Sequence, residues 1–249
     1  MKIRKFLQNI VITGLLLTGL SVTAQELDRS PKEALLKKES SGFLEFRSNG
    51  WGFGYRFGNF KTGYKKKMWD LSFAVVKDLK QYKVPAIGSS IGNRYYYGKQ
   101  IHFYNFKALY GTQKIITTKP YWGGVELRRF FYSGVNIGVG VPIYVYVYTT
   151  NDGTGTNIEK FDADKHDYQD IYGKGPFTKG LPEMKIYPAV SFKGGVNVEY
   201  GMLSQVTKII EVGAQLDLYP IPVQIMAKTD PKYFIFSIYV GFHLGKRYN

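Results

Sequence analysis

The chain has 249 residues, no cysteine and a formal net charge of +15. Its length suits one large domain or two small ones, and its 44% hydrophobic content is too high for a mainly disordered chain. The lack of cysteine excludes disulfides, thiolate metal sites, cysteine nucleophiles and a lipid-modified N-terminal cysteine. The excess of Lys and Arg suggests nucleic acid as a partner, which depends on the compartment in which the protein lies.

The N-terminus has the pattern of a secretory signal. Lys2, Arg4 and Lys5 precede an apolar run at 10–22 that is too short to span a bilayer comfortably as a helix. The small residues at Val22-Thr23-Ala24 predict cleavage after Ala24, so that the signal peptide is 1–24. Cleavage lowers the formal charge from +15 to +12. Because the mature protein leaves the cytoplasm, nucleic acid is excluded as a partner.

After a polar lead at 25–41, which is expected to be flexible and periplasmic, apolar and polar residues alternate. In 135–148 the odd positions carry Val or Ile, and the even positions carry Asn, Gly, Pro or Tyr. A period of two indicates strands with two unlike faces. Eight such strands are predicted, at 43–58, 65–78, 101–116, 122–132, 135–149, 186–201, 206–219 and 232–245.

The last segment shows how uniform the apolar face is. One face carries Phe234, Phe236, Ile238, Val240, Phe242 and Leu244. The other face is small, aromatic or sparsely charged, whereas a soluble sandwich would carry many charges on its outer face. The sequence therefore predicts an all-β fold, an eight-stranded antiparallel transmembrane β-barrel over 42–249, in the outer membrane of a Gram-negative bacterium. The alternative is a soluble lipocalin-like carrier, whose apolar face points inward.

If the apolar face contacts lipid, the opposite face places a near-neutral set of charges in the barrel interior. The predicted lumen network consists of Arg56, Asp70, Lys107, Glu126, Arg128, Lys193, Glu199, Glu211 and Asp217. A buried pair of opposite charges can leave the free energy of folding nearly unchanged, whereas an unpaired buried charge costs several kcal/mol. Since eight strands leave an interior just wide enough for side chains, no open pore is expected.

With both mature termini in the periplasm, the predicted outward connections are 59–64, 117–121, 150–185 and 220–231, and 79–100 is periplasmic. Four lysines are predicted at the outer rim, either as ligands of lipopolysaccharide phosphates or as ordinary girdle residues: Lys61, Lys65, Lys66 and Lys67. The candidate partner surface combines residues of 79–100 and 150–185, namely Arg94, Tyr95, Tyr96, Tyr97, Tyr172 and Phe177.

The sequence gives little support for a catalytic site or a metal site. The chain has three histidines, His102, His166 and His243. Ser237 and His243 share one strand about 20 Å apart, which is too far for a dyad. A serine from another strand would leave a lipid-modifying enzyme as an alternative. The pair at Asp162-x-Asp164 hints at calcium, but the glycine and glutamate of a calcium loop are missing. We therefore predict no enzyme, no metal and no cofactor.

Three stretches resemble small outer-membrane barrels of Bacteroidota, and the PorT-type group is the nearest named family. They are Val22-Thr23-Ala24-Gln25, the stretch from Gly92 to Gln100, and the closing strand from Tyr239 to Asn249. The resemblance covers most of the mature chain as a pattern of strand texture. It implies an eight-stranded barrel and a part in type IX secretion, without catalytic residues. We expect a non-enzymatic structural or accessory subunit of an envelope complex, in contact with outer-membrane lipid, lipopolysaccharide and a protein partner.

Overall fold

The computed structural model describes residues 37–85, 94–118, 124–148, 155–163, 165–166, 170–200, 206–227 and 229–248, with only the backbone of Arg94. The predicted signal at 1–24 and the residues 25–36 of the predicted lead lie outside this part of the chain. Within it, no helix is long and apolar enough to cross a membrane.

Thirteen strands and one 3₁₀ helix are described. In chain order the strands are β1 (Lys38–Arg47), β2 (Gly50–Thr62), β3 (Lys65–Val76), β4 (Lys83–Pro85), β5 (Arg94–Tyr96), β6 (Ile101–Thr117), β7 (Glu126–Pro142), β8 (Tyr144–Tyr148), β9 (Thr156–Lys160), β10 (Ile171–Lys174), β11 (Lys185–Tyr200), β12 (Val206–Val223) and β13 (Lys232–Tyr248). The 3₁₀ helix is Phe177–Glu183.

Eight of these strands close into an antiparallel barrel. Around the ring the order is β1, β13, β12, β11, β7, β6, β3 and β2, and β1 pairs with both β13 and β2. The remaining strands form a three-stranded sheet in the order β10, β8, β9 and a β4–β5 hairpin. The predicted fold class is confirmed.

Alternation along the barrel strands puts apolar side chains outside and polar side chains inside. The exposed face of β13 carries Phe234, Phe236, Ile238, Val240, Phe242 and Leu244, as predicted, whereas Ser237, Tyr239 and His243 are buried. Aromatic rings also pack against each other on the outer wall, for example Trp69 of β3 on Tyr110 of β6 at 4.9 Å between centroids. This arrangement contradicts the lipocalin-like alternative, because charged groups rather than apolar ones occupy the interior.

Three layers fill the interior. At one end lies an apolar plug that includes Val76, Phe103, Tyr219 and Val223. Ion pairs fill the middle and the other end. Glycines on the inner face leave room for rings of the neighbouring strand, since a Cβ on Gly138 would lie 2.6 Å from the ring of Phe103.

The two ends of the barrel differ in size. One end, here called the termini end, holds Lys38, Tyr248, the turn 63–64 and the strand ends at Thr117, Glu126, Tyr200 and Val206. The opposite end holds the turn 48–49 and three longer connections, 77–100, 143–184 and 224–231. The described residues of these three connections are called the cap.

The prediction missed one boundary between strands and placed another inside a continuous strand. The predicted number of barrel strands is therefore still eight. The segment 43–58 contains a tight turn at Ser48-Asn49, which separates β1 from β2. The segments 122–132 and 135–149 are largely one strand, because β7 continues through Ser133 and Gly134. The barrel also begins at Lys38 rather than at 42.

Because the prediction missed this turn, it gave the wrong direction to every strand from β2 to the false break in β7. Residues 59–64 and the described residues 117–118 of the connection 117–121, which were predicted to face outward, therefore lie at the termini end. The described residues of segment 79–100, which was predicted on the same side as the termini, belong to the cap. The false break in β7 restores the correct strand direction. The described residues of 150–185 and 220–231 therefore lie at the cap end, opposite the termini, as predicted.

Candidate functional site

The structure places all nine residues of the predicted lumen network inside the barrel. Each of them is at least 96% buried, and they come from six strands: Arg56, Asp70, Lys107, Glu126, Arg128, Lys193, Glu199, Glu211 and Asp217. They do not form one cluster. They divide into a central group, a group near the plug and a group at the termini end.

The central group is organised around Arg56. Its guanidinium donates hydrogen bonds from Nη1 to Glu211 Oε2 at 2.6 Å and from Nη2 to Asp70 Oδ2 at 2.7 Å. The ammonium of Lys193 donates to the same Asp70 oxygen at 3.1 Å and also to Glu45. Because these five side chains come from five different strands, their ion pairs fill the cross-section of the barrel.

A second group, nearer the apolar plug, donates hydrogen bonds to Asp217. Its carboxylate accepts hydrogen bonds from Lys107 Nζ at 2.8 Å, from Ser191 Oγ at 2.5 Å and from Gln215 Nε2 at 2.7 Å. With Asn105 Nδ2 at 3.5 Å as a third neutral donor, the carboxylate is held by one cation and three neutral groups. This is the kind of satisfied network that a buried charge requires.

A third group closes the termini end. Arg247 donates to Glu39 at 2.8 Å and also bonds Glu199, and Lys66 bonds the same Glu39. The ring of Phe60 lies among these cations, with the Lys66 ammonium 4.6 Å from its centroid. Arg128 and Glu126 form a further ion pair here. Both ends and the middle of the described interior are therefore occupied by side chains.

The sequence prediction missed five charged members of the interior. They are Glu39, Glu45, Arg47, Lys66 and Arg247. With them, the described part of the barrel interior contains seven bases and seven acids, so its formal charge is zero without counting His243. The missed turn explains Glu45 and Arg47, because a two-residue turn shifts the inward parity between β1 and β2.

The predicted outer-rim lysines lie at the termini end instead, because of the reversed direction. Lys61, Lys65 and Lys67 lie on the outer face there, whereas Lys66 is buried and paired with Glu39. Arg129, on the outer face of β7, lies at the same end opposite Lys114. A charge at this level can reach the headgroups rather than the hydrocarbon.

The candidate partner residues lie in the cap and differ in accessibility. Tyr95 belongs to an apolar cap core, together with Val145, Val147, Phe161 and Ile171. Tyr97 packs against that core, and Tyr96 is half-buried. Tyr172 is half-buried with its ring 5.5 Å from that of Tyr148, and Phe177 remains 40% exposed. The side chain of Arg94 lies outside the described residues.

The three histidines are held in structural contacts. His243 is buried 3.5 Å from Glu211 and stacks on Phe43 at 4.8 Å. In the cap, His166 Nδ1 accepts the backbone N–H of Asp162, and Nε2 lies 3.2 Å from Glu159. With both ring nitrogens engaged, His166 has no nitrogen left to activate a nucleophile.

His102 lies at the start of β6 on the outer face. Its ring packs edge-on against Phe177 at 5.7 Å. For the calcium pattern, Asp164 lies outside the described residues, and no cluster of metal-binding side chains occurs within them.

A cleft of 740 Å³ separates the mouth of the barrel from the β8–β9 side of the cap. Glu183 at its edge accepts hydrogen bonds from Tyr144 at 2.6 Å and from Lys160 at 2.9 Å. These hydrogen bonds hold the pKa of the Glu183 carboxyl below its usual range. The remaining lining mixes acids, bases and the Tyr187 ring, so the cleft favours no single class of ligand.

Comparisons with solved structures return small outer-membrane barrels. The N-terminal barrel domain of OprF from Pseudomonas aeruginosa covers 86% of this chain and 98% of its own, with 9% identity and a TM-score of 0.36. Neisserial surface protein A covers 86% and 97%, with 9% identity and a TM-score of 0.41. Ail of Yersinia pestis covers 86% and 100%, with 9% identity and a TM-score of 0.39. At these values the likeness carries no argument, and the fold rests on the strand pairing itself.

No protein-family model and no curated protein matches the chain.

Proposed function

We propose that this protein is a non-enzymatic outer-membrane barrel that serves as a structural or accessory subunit of an envelope complex, with the cap as its contact surface. The observation that carries the proposal is the combination of an apolar outer wall, a filled interior and a cap with its own apolar core. An apolar outer wall is stable when it contacts lipid. Because the interior is filled, the cap is the part of the barrel that can bind another protein.

The outer wall supports membrane insertion. On β3 the outward residues between Lys67 and Lys77 are Trp69, Leu71, Phe73 and Val75. Ten residues tilted by ~40° cover roughly 25 Å, the height of the apolar band of such barrels. Short periplasmic turns and longer external loops are the rule for outer-membrane barrels, so the termini end faces the periplasm and the cap faces outward.

The filled interior and the histidine contacts support a role other than transport or catalysis. The ion pairs of Arg56, Lys193 and Arg247 block the described interior at two levels. The finer assignment to the PorT-type group, with a role in protein secretion, is part of the proposal and rests on the sequence resemblance alone.

Membrane insertion is tested by the mobility of the full chain on gels. We expect unboiled and boiled samples to migrate differently, because a closed barrel resists detergent until heated. In planar bilayers the inserted protein should give no steady conductance. Recovery in the aqueous periplasmic fraction without detergent would contradict the proposal, and so would a stable open channel.

The accessory role is tested by copurification in mild detergent. The tagged wild-type protein should retain an envelope protein that a cap variant with Tyr172→Ala and Ile158→Ala loses, because both side chains lie on the cap sheet. The matched control is Tyr200→Ala, an exposed residue of the wall at the termini end. Equal retention by both variants would exclude this cap surface. Altered acylation or phosphate content of lipopolysaccharide after gene deletion would favour the lipid-modifying alternative.

A further inference from the structure

Basic side chains gather on the outer face of the barrel where the cap begins. His102 points outward, since the next residue, Phe103, is buried in the plug, and its ring lies 6.5 Å from that of the outward Tyr104. The β3–β6 register pairs Val76 with Phe103. Continued by one residue, it puts Lys77 beside His102, just beyond the apolar band.

A small cavity opens at the same place, beneath the overhanging cap. Its volume is 150 Å³, and its polar lining consists of Lys83, His102 and Lys174, together with Tyr95 and Tyr96. Three elements thus bring their basic residues to one cavity: the β4–β5 hairpin, the start of β6 and the end of β10.

Lys99 adds a buried cation next to this cavity. Its side chain is only 4% exposed, and its ammonium lies 5.1 Å from the centroid of the Tyr96 ring, whereas the Lys83 ammonium lies 5.5 Å from the same centroid. Within the described residues, none of Lys77, Lys83, Lys99 and Lys174 has an ion-pair partner. We call these four lysines and His102 the rim cluster.

Such a concentration of cations is unfavourable unless an anion joins it. Burial, and then the charges of Lys77 and Lys174, lower the pKa of Lys99 from its usual 10.5 to about 8. A buried ammonium without a carboxylate is costly, because burial removes its hydration without supplying a counter-charge. By contrast, Lys232, at the start of β13, is paired with Asp78 at 2.6 Å.

We propose that the rim cluster binds the phosphate of an outer-leaflet lipid, of the kind carried by the lipid A part of lipopolysaccharide. The inference rests on the proposed function, which puts the cap outside the cell. The wall below the cluster is apolar at Val75 and Tyr104, so acyl chains can lie there while the phosphate enters the cavity. Lysine ammonium groups bind phosphate through charge-assisted hydrogen bonds, and several cations around one phosphate reinforce each other.

Native mass spectrometry of the full chain in detergent micelles tests this proposal. The probe is bis-phosphorylated lipid A, compared with dephosphorylated lipid A. The test variant is Lys83→Gln with Lys174→Gln, because both side chains are exposed. The matched control is Lys160→Gln with Lys165→Gln, which removes the same charge from the other side of the cap.

We expect the wild type and the control to retain the bis-phosphorylated probe, and the test variant to bind it about tenfold to a hundredfold more weakly. All three proteins should bind the dephosphorylated probe equally weakly. Equal binding of the phosphorylated probe by the test variant and the wild type would overturn the inference. Displacement of the probe by inorganic phosphate at low millimolar concentration would assign the cluster to a free anion and overturn the lipid assignment.

Heat-modifiable mobility of each variant is measured on the same samples. If the wild type lacks it, the proposed outer-membrane barrel fails. If all variants keep it but binding does not depend on the rim cluster, only the present inference fails.

Discussion

Arg56 and Glu211 meet across the barrel interior, with Nη1 of the arginine 2.6 Å from Oε2 of the glutamate. The two residues lie on β2 and β12, which are separated around the ring by β1 and β13. Their contact therefore spans the lumen rather than joining paired strands. Neither charge reaches water, so each depends on the other for compensation.

Replacing one member of this pair should destabilise the barrel strongly. For Arg56→Met we expect a loss of about 3–5 kcal/mol in the free energy of unfolding, because Glu211 and Asp70 then lose their main cation. Glu211→Gln should cost less, since the Tyr239 hydroxyl, 2.7 Å away, can still bond the amide. Urea titration of the protein in lipid vesicles, followed by gel mobility, measures both changes.

The double variant supplies the control. If the pair interacts directly, Arg56→Met with Glu211→Gln should cost less than the sum of the single changes, by about 0.5–3 kcal/mol. Strictly additive costs would show that the two side chains contribute independently and would contradict the pairing.

Gly50 provides a second prediction, at the turn that ends β1. Its φ is +148°, and a Cβ there would collide with the carbonyl of Val75. Gly50→Ala should therefore destabilise the barrel by roughly 1–3 kcal/mol. Gly42→Ala is the matched control, because a Cβ at that position meets nothing within 4 Å. Equal urea midpoints for the two variants would contradict the turn geometry.

This turn also shows what the sequence could and could not reveal. Alternation predicted the barrel, its outward face and most of its interior, because period two is a local property of each strand. Connectivity depends on single turns. The Asn49-Gly50 pair is a strong hairpin signal, and the outward apolar residues change parity across it, from Leu44 and Phe46 to Trp51 and Phe53. Both features mark the turn that the prediction missed. Ser133-Gly134 looks like a turn, but the close approach of β6 at Gly134 leaves no room for a side chain.

The interior was predictable only where strand parity was known. Arg56 and Asp70 were assigned inward because their strands carry long apolar faces. Glu45 lies on β1, whose parity differs from that of β2 across the missed turn. The rim cluster had no signal in the sequence, because Lys83, Lys99 and Lys174 come together only through the folding of the cap.

Lys99 provides a third prediction, on the cap. Its pKa falls from 10.5 when exposed to about 8 in the fold, so the folded cap is penalised wherever the ammonium is charged. The penalty is complete below pH 8 and is lost as the pH rises towards 10.5. Lys99→Met should therefore make the cap more resistant to proteolysis at pH 7, on the order of tenfold for each unit of pKa shift relieved.

At pH 9.5 the difference between Lys99→Met and the wild type should shrink. Lys77, Lys83, Lys174 and Tyr96 face the same ammonium. Because the charge of Lys77 contributes to the lowered pKa of Lys99, Lys77→Met serves as the control. That side chain is exposed, and its removal should give a smaller gain. A difference between Lys99→Met and the wild type that does not depend on pH would show that packing, rather than charge, is responsible.

The outer wall provides the last prediction, which separates a lipid environment from water. Val240 lies near the middle of the outward face of β13, and Tyr248 ends the same strand at the termini end. In a bilayer, Val240→Arg should cost about 2–4 kcal/mol in the free energy of unfolding, whereas Tyr248→Arg should cost about 0–1 kcal/mol. The natural Arg129, on the outer face at that end, shows that a guanidinium is accommodated there. Measured in lipid vesicles, equal costs at the two depths would mean that the wall does not contact hydrocarbon, because water would solvate an arginine equally well at both positions.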